Sequence, residues 1–154
     1  MTGALASGRQ TEIAGYASLF WIRDLARDVV ARGAFSASLK RRGARRLGML
    51  HQHAVSAPIG VWDHAAEDVR GLFLRGRIIE HSAAAVHAAA LVRAGALDGL
   101  SIGFTARAAH ADRTGRVRVL TEIDLYEVSL VSFPMLPGAR LTVVRPPPDI
   151  RRAA

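Results

Sequence analysis

Between residues 12 and 144 the apolar positions come mostly in short runs of period two, broken by Gly, Pro, Asp and Ser, as in strands joined by turns. Strands are predicted over 12–19, 47–53, 59–65, 69–79, 99–106, 116–123, 125–131 and 141–144. Two segments change period. Residues 34–42 read as a short helix, and 82–95 as a longer alanine-rich one, with Ser82 as its N-cap and Gly95 as its stop. Residues 1–11 are small and polar without a period, and 145–154 open with consecutive prolines, which neither a sheet nor a helix interior accepts. Both ends are predicted to be flexible, leaving one domain over 12–144. Seven or eight strands, two or three helices and no regular βαβ alternation predict a mainly β (α+β) domain, an antiparallel barrel or sandwich with helices packed outside.

Composition narrows the chemistry. Half the residues are apolar and 22% are charged, so the chain of 154 residues belongs with folded globular proteins and not disordered ones. There is no cysteine, which excludes disulfides, thiolate metal sites and a cysteine nucleophile. The formal charge of +8 favours acidic partners or anionic surfaces, and arginines cluster in Lys40-Arg41-Arg42-Gly43-Ala44-Arg45-Arg46. Aromatic residues make up only 6%, too few for a single-strand stacking platform, so no specific nucleic acid is expected. The first residues lack the basic and apolar regions of a secretory leader, and no run approaches the length of a membrane helix, so neither export nor membrane association is expected.

Three places break the pattern. In Gly99-Leu100-Ser101-Ile102-Gly103-Phe104-Thr105, alternation puts Ser101, Gly103 and Thr105 on one bare face. A serine among small residues can be approached closely by a substrate backbone, as an acyl-transfer nucleophile must be; the plainer reading is a half-exposed strand. In residues 122–131, strict alternation places Glu127 with Ile123, Leu125, Ser129 and Val131. A carboxylate among apolar groups needs a partner or a cleft, and an ion pair with an arginine is the plainer reading. In Leu50-His51-Gln52-His53-Ala54-Val55-Ser56-Ala57-Pro58-Ile59-Gly60, a continuous strand would put His51 and His53 on one face, where they could share a metal with His64, Asp63 or His110, though at no diagnostic spacing. Alternatively, Ser101, His53 and Glu127 could form a hydrolytic triad if the fold brought their strands together.

Taken together, these segments resemble the prohead (capsid maturation) serine proteases of tailed bacteriophages. The matching pieces run in order: GYAS at 15–18, RGAFSASL at 32–39, LHQHAVSAPIG at 50–60, GLFLRGRI at 71–78, GALDGLSIGF at 95–104 and EIDLYEVSLVSFPMLPGA at 122–139. The resemblance implies Ser101 as nucleophile, His53 as general base and Glu127 as third member. In the distantly similar herpesvirus assembly proteases a backbone N–H and an arginine-held water form the oxyanion hole, which implies Arg140, with Gly138 or Ala139 as backbone donor. Many relatives carry an aromatic residue where this chain has His51.

The fold so implied is a closed antiparallel β-barrel of about seven strands ringed by helices. The implied activity is that of a serine endopeptidase in the bacterial cytoplasm, inside an assembling procapsid of a phage or a gene transfer agent. It would cleave the scaffold segment of the major capsid protein and then itself, with no cofactor and no metal. Self-association is a further possibility, which the sequence does not decide. From a different class, a non-catalytic basic module for nucleic acid or capsid protein would depend on Arg41, Arg42, Arg45 and Arg46 instead of Ser101.

Overall fold

The computed structural model describes residues 8–146, so most of the predicted N-terminal lead-in (1–7) and of the tail (147–154) lies outside the described residues. In chain order the elements are β1 (Gln10–Leu19), β2 (Asp28–Val30), α1 (Ser36–Arg42), β3 (Gly48–His51), β4 (Pro58–Glu67), β5 (Gly71–Ile79), α2 (Ala83–Arg93), β6 (Gly99–Ala111), β7 (Arg118–Val131) and β8 (Leu141–Val143). No helix among the described residues is long and apolar enough to cross a membrane. Ser82 caps α2, its hydroxyl accepting from Ala85 N–H, and the helix gives way at Gly95, whose φ is +74°.

Seven strands follow the order β2-β7-β3-β4-β5-β1-β8, and β6 pairs β7 off that path. Two expectations are corrected. The sheet is mixed, because β2 and β3 both run parallel to β7, using separate stretches of it, while β6 takes its other edge. It is also curled but not closed. β8 spans only three residues, and the seam between it and β6 is one bridge, Gly99 with Arg140. Two backbone bonds flank that bridge, Leu100 N–H to the Ala139 carbonyl and Leu141 N–H to the Asp98 carbonyl, both 2.9 Å or shorter. Beyond it β6 runs on without a partner on that edge, so the result is a half-barrel open at one side.

The concave side holds the core, with Ile13, Phe35, Met49, Ile59, Leu72, Leu74, Ile78 and Leu100 buried around Trp62. Alanines 85, 88 and 89 let α2 lie close against this layer. Trp62 is wholly buried, and its indole N–H is shared between the carbonyls of Gly48 and Val128, at 3.3 Å each. It therefore ties β4 to β3 and β7, the strands that carry the site. Trp62→Ala is expected to destabilise the domain by about 3–5 kcal/mol, read from the shift in urea midpoint at constant slope.

Residues 118–131 form one strand, where two had been predicted with a break at Asp124. Gly103 pairs with Glu127 but Phe104 pairs with Leu125, so β7 carries one extra residue, Tyr126, in a bulge. The bulge reverses the inside-outside alternation. Ile123 and Leu125 are in the core before it, Val128 and Leu130 after it, and Glu127 with Ser129 comes to lie off the core face. Glu127 thus does not share a face with Ile123 and Leu125, as unbroken alternation had implied.

Helix α1 braces the segment just before this bulge. Buried Ser38 accepts from Leu125 N–H at 2.9 Å and donates to Asp124, whose carboxylate also pairs with Arg41 and Arg42. Arg42 stacks over the Tyr126 ring at 5.1 Å, and Arg45 pairs with Asp63. Three of the four arginines in the basic cluster therefore also make ion pairs within the fold, while Arg41 and Arg45 stay exposed.

Candidate active site

β6 and β7 run antiparallel with Ser101 opposite Ser129 and Gly103 opposite Glu127, which sets these four residues on one patch of sheet. β3 lies on the far edge of β7 and delivers His53. The strand ends at His51, two residues short of the predicted end, because Gln52 and His53 take left-handed φ values of +53° and +60°. Such a conformation costs a side-chain-bearing residue about 1–2 kcal/mol, so the surroundings must hold it. They do so with Gln52 N–H on the Leu130 carbonyl at 2.9 Å, Gln52 Nε2 on Ser132 Oγ at 2.7 Å and His53 N–H on Ser129 Oγ at 3.2 Å.

The turn separates the two histidines. His51 stays in the sheet, its ring edge-on to that of His87 at 6.0 Å, with Nε2 buried and unpartnered. Burial, with the His87 charge adding to it, holds the His51 imidazole below the usual histidine range. His53 swings the other way, over β7. The shared face required for a His51–His53 metal pair does not exist, and no group of three His, Asp or Glu side chains among the described residues is placed to hold a metal ion.

His53 Nε2 stands 3.2 Å from Ser101 Oγ, and its Nδ1 stands 2.5 Å from Glu127 Oε1. A carboxylate only accepts, so Nδ1 carries the ring proton of a neutral His53 and Nε2 is left to accept from the serine hydroxyl. The second carboxylate oxygen of Glu127 accepts from Ser129 Oγ at 2.6 Å, so one buried serine binds both the Glu127 carboxylate and the His53 backbone. Glu127 is 12% exposed and His53 44%, which leaves the imidazole reachable and the carboxylate shielded.

Ser129 was not singled out from sequence, since a serine in a strand is ordinary and only its two bonds give it a role. Gly103 has a stricter reason. A Cβ there would lie 2.2 Å from Glu127 Oε1, so the bare face noted in the sequence is the space the carboxylate fills. Gly103→Ala is expected to push Glu127 off His53 and cut turnover about 100-fold while the protein still folds; activity assay beside circular dichroism checks both.

Ser101 and His53 open onto a cleft of about 270 Å³ lined mainly by apolar side chains, among them Ile22, Ile102, Phe104, Met135 and Leu136. Arg140 does not line this cleft. Its guanidinium donates to the Pro137 carbonyl at 2.9 Å and to Asp98 at 2.7 Å, bracing the 136–140 segment against the start of β6. Of the two backbone donors named from sequence, Ala139 N–H is bonded to the Leu136 carbonyl. Gly138 does not line the cleft either, though a Cβ on it would come within 3.1 Å of Leu19 Cδ1, and Leu19 is a lining residue.

The fold is one found in viral proteases. KSHV protease, solved with a hexapeptide phosphonate inhibitor, matches with a TM-score of 0.57 at 16% identity, covering 90% of this chain and 66% of that one. Varicella-zoster virus protease matches with a TM-score of 0.51 at 15% identity, covering 86% and 63%. In sequence, residues 3–147 match the family model of the caudovirus prohead serine protease. The prohead protease of Enterobacteria phage HK97 is 32% identical over 129 residues, 82% of this chain and 57% of that protein. This chain belongs to the caudovirus prohead serine protease family.

Proposed function

We propose that this chain is the catalytic domain of a serine endopeptidase of capsid maturation, with Ser101 as nucleophile, His53 as general base and Glu127 as orienting carboxylate. The observation that carries this reading is the continuous Ser101–His53–Glu127 contact chain at the mouth of an apolar cleft. As Ser101 Oγ attacks the scissile carbonyl carbon, its proton passes to His53 Nε2. Glu127 stabilises the imidazolium that results. Collapse of the tetrahedral adduct breaks the C–N bond, and the leaving amine takes the proton from Nε2. Water then repeats the sequence, releasing the acid and restoring the serine hydroxyl.

Oxyanion stabilisation is assigned to the 138–140 segment, with Gly138 N–H as donor and Arg140 holding the segment through Pro137 and Asp98. The substrate is the scaffold segment of the major capsid protein, followed by the chain itself, inside the assembling procapsid of a phage or gene transfer agent in a bacterial cytoplasm. Kinship with the HK97 prohead protease supports this choice. The test is to co-produce the chain with its particle's capsid protein and weigh the products. The expected outcome is a capsid protein shortened by one defined segment; intact capsid subunits beside a folded enzyme would sink the reading.

A further inference from the structure

A second groove, of about 500 Å³, lies beside the first, and Ala26 and Asp28 line both. Its walls are the exposed end of the β6–β7 hairpin, with Ala109, His110, Ala111 and Arg116, and the turn at Arg27 before β2. The groove has no Phe, Tyr or Trp. Its one carboxylate, Asp28, is buried and held bidentately by Arg118 at 2.8 and 2.7 Å. Nearby Asp112 is turned into the hairpin loop, accepting from the Thr114 hydroxyl and the N–H groups of Arg116 and Val117. Among the described residues neither Arg27 nor Arg116 has a carboxylate within ion-pair distance.

Arg27 is also conformationally odd. Its φ is +66°, a region that glycine enters freely and other residues enter at a cost. Here an arginine occupies it, pinned by its N–H on the Asp24 carbonyl and its own carbonyl on Arg118 N–H. The turn thus presents an unpaired guanidinium at the groove's edge on a fixed backbone.

We propose that this groove is an exosite for an acidic segment of the polypeptide substrate, bound by Arg27 and Arg116 while the scissile bond sits at Ser101. The register rests on the catalytic reading above; the exosite itself does not. Charge complementarity and continuity with the cleft favour a peptide, and the lack of aromatic faces disfavours single-stranded nucleic acid. From Ser101 to Ala109 an extended strand rises roughly 25 Å, so the acidic residues lie about eight positions from the cleavage point.

The test uses fluorescence anisotropy with a labelled octaglutamate peptide, an octaglutamine peptide and a single-stranded oligonucleotide of eight phosphates. The expected result is salt-sensitive binding of octaglutamate alone, equal in the parent chain and Ser101→Ala. The pair Arg27→Glu and Arg116→Glu should raise its Kd at least tenfold, while Arg9→Glu with Arg46→Glu, the same charge change elsewhere, should shift it less than threefold. In capsid-protein cleavage the groove pair should raise KM and leave kcat unchanged. No octaglutamate binding by the parent, equal losses in both double variants, or tighter binding of the oligonucleotide would overturn the proposal. A failed triad would instead show as proteolysis surviving in Ser101→Ala, with peptide binding untouched.

Discussion

Ser101→Ala is expected to give a folded protein that cleaves neither itself nor a capsid protein. The serine hydroxyl makes one side-chain bond in the structure, to His53, and its backbone is held in the β6–β7 ladder, so its loss should barely move the urea midpoint. Proteolysis should fall by about six orders of magnitude, the scale set by losing a triad nucleophile. His53→Ala should fall as far and no further when combined with it, because members of the proposed triad act as one unit. Mass spectrometry of the products, with unfolding curves of both variants, checks these outcomes. Retained cleavage in either variant would mean that the catalytic chain lies elsewhere.

Glu127→Gln is expected to have the second largest effect. Glutamine keeps the size of the side chain but removes the charge that, in the proposed mechanism, stabilises the imidazolium. Its amide can also present a donor to Nδ1, favouring the tautomer in which Nε2 bears the proton and cannot accept from Ser101. A comparable change in another serine protease costs about 10⁴-fold in kcat, and a loss of that order is expected here with KM little changed. Glu127→Ala should also leave residual activity above that of Ser101→Ala, since triad members contribute unequally. Steady-state kinetics on one purified substrate separates the three variants. Equal activity in Glu127→Gln and the parent would remove Glu127 from the mechanism.

Several elements were legible in the sequence because local pattern determines them. Helix α2 runs where Ser82 and Gly95 had marked its ends, and β5 and β6 start within two residues of their predicted positions. β2 was missed, because three residues leave no period to read and its parallel partner in β7 lies far along the chain. The closed barrel failed for a related reason. Strand counting does not reveal that β8 is too short to complete a ladder with β6, leaving an open side where the cleft forms.

The site shows the same division. Ser101 stood out because alternation set it on a face of small residues, and Gly103 on that face proved to be the space for Glu127. Glu127 stood out through an unbroken alternation that the bulge at Tyr126 interrupts. His53 was not separable from His51 by spacing, since two residues of left-handed backbone between β3 and β4 turn the rings apart. Nor was the bulge at Tyr126 readable, because it is a matter of pairing between β6 and β7, at a place that α1 contacts from 80 or more positions away. What decides the geometry of the three side chains is thus tertiary, while their identities are local.

The most direct measurement is covalent labelling with a fluorophosphonate, which reacts with a serine oxygen only when a neighbouring base and an oxyanion site activate it. Intact-mass and peptide-mapping spectra are expected to show one phosphonyl group per chain, on Ser101, at full occupancy in the parent and absent from Ser101→Ala and His53→Ala. A label on another serine, or none on a chain that still cleaves protein, would contradict the assignment of Ser101 and His53.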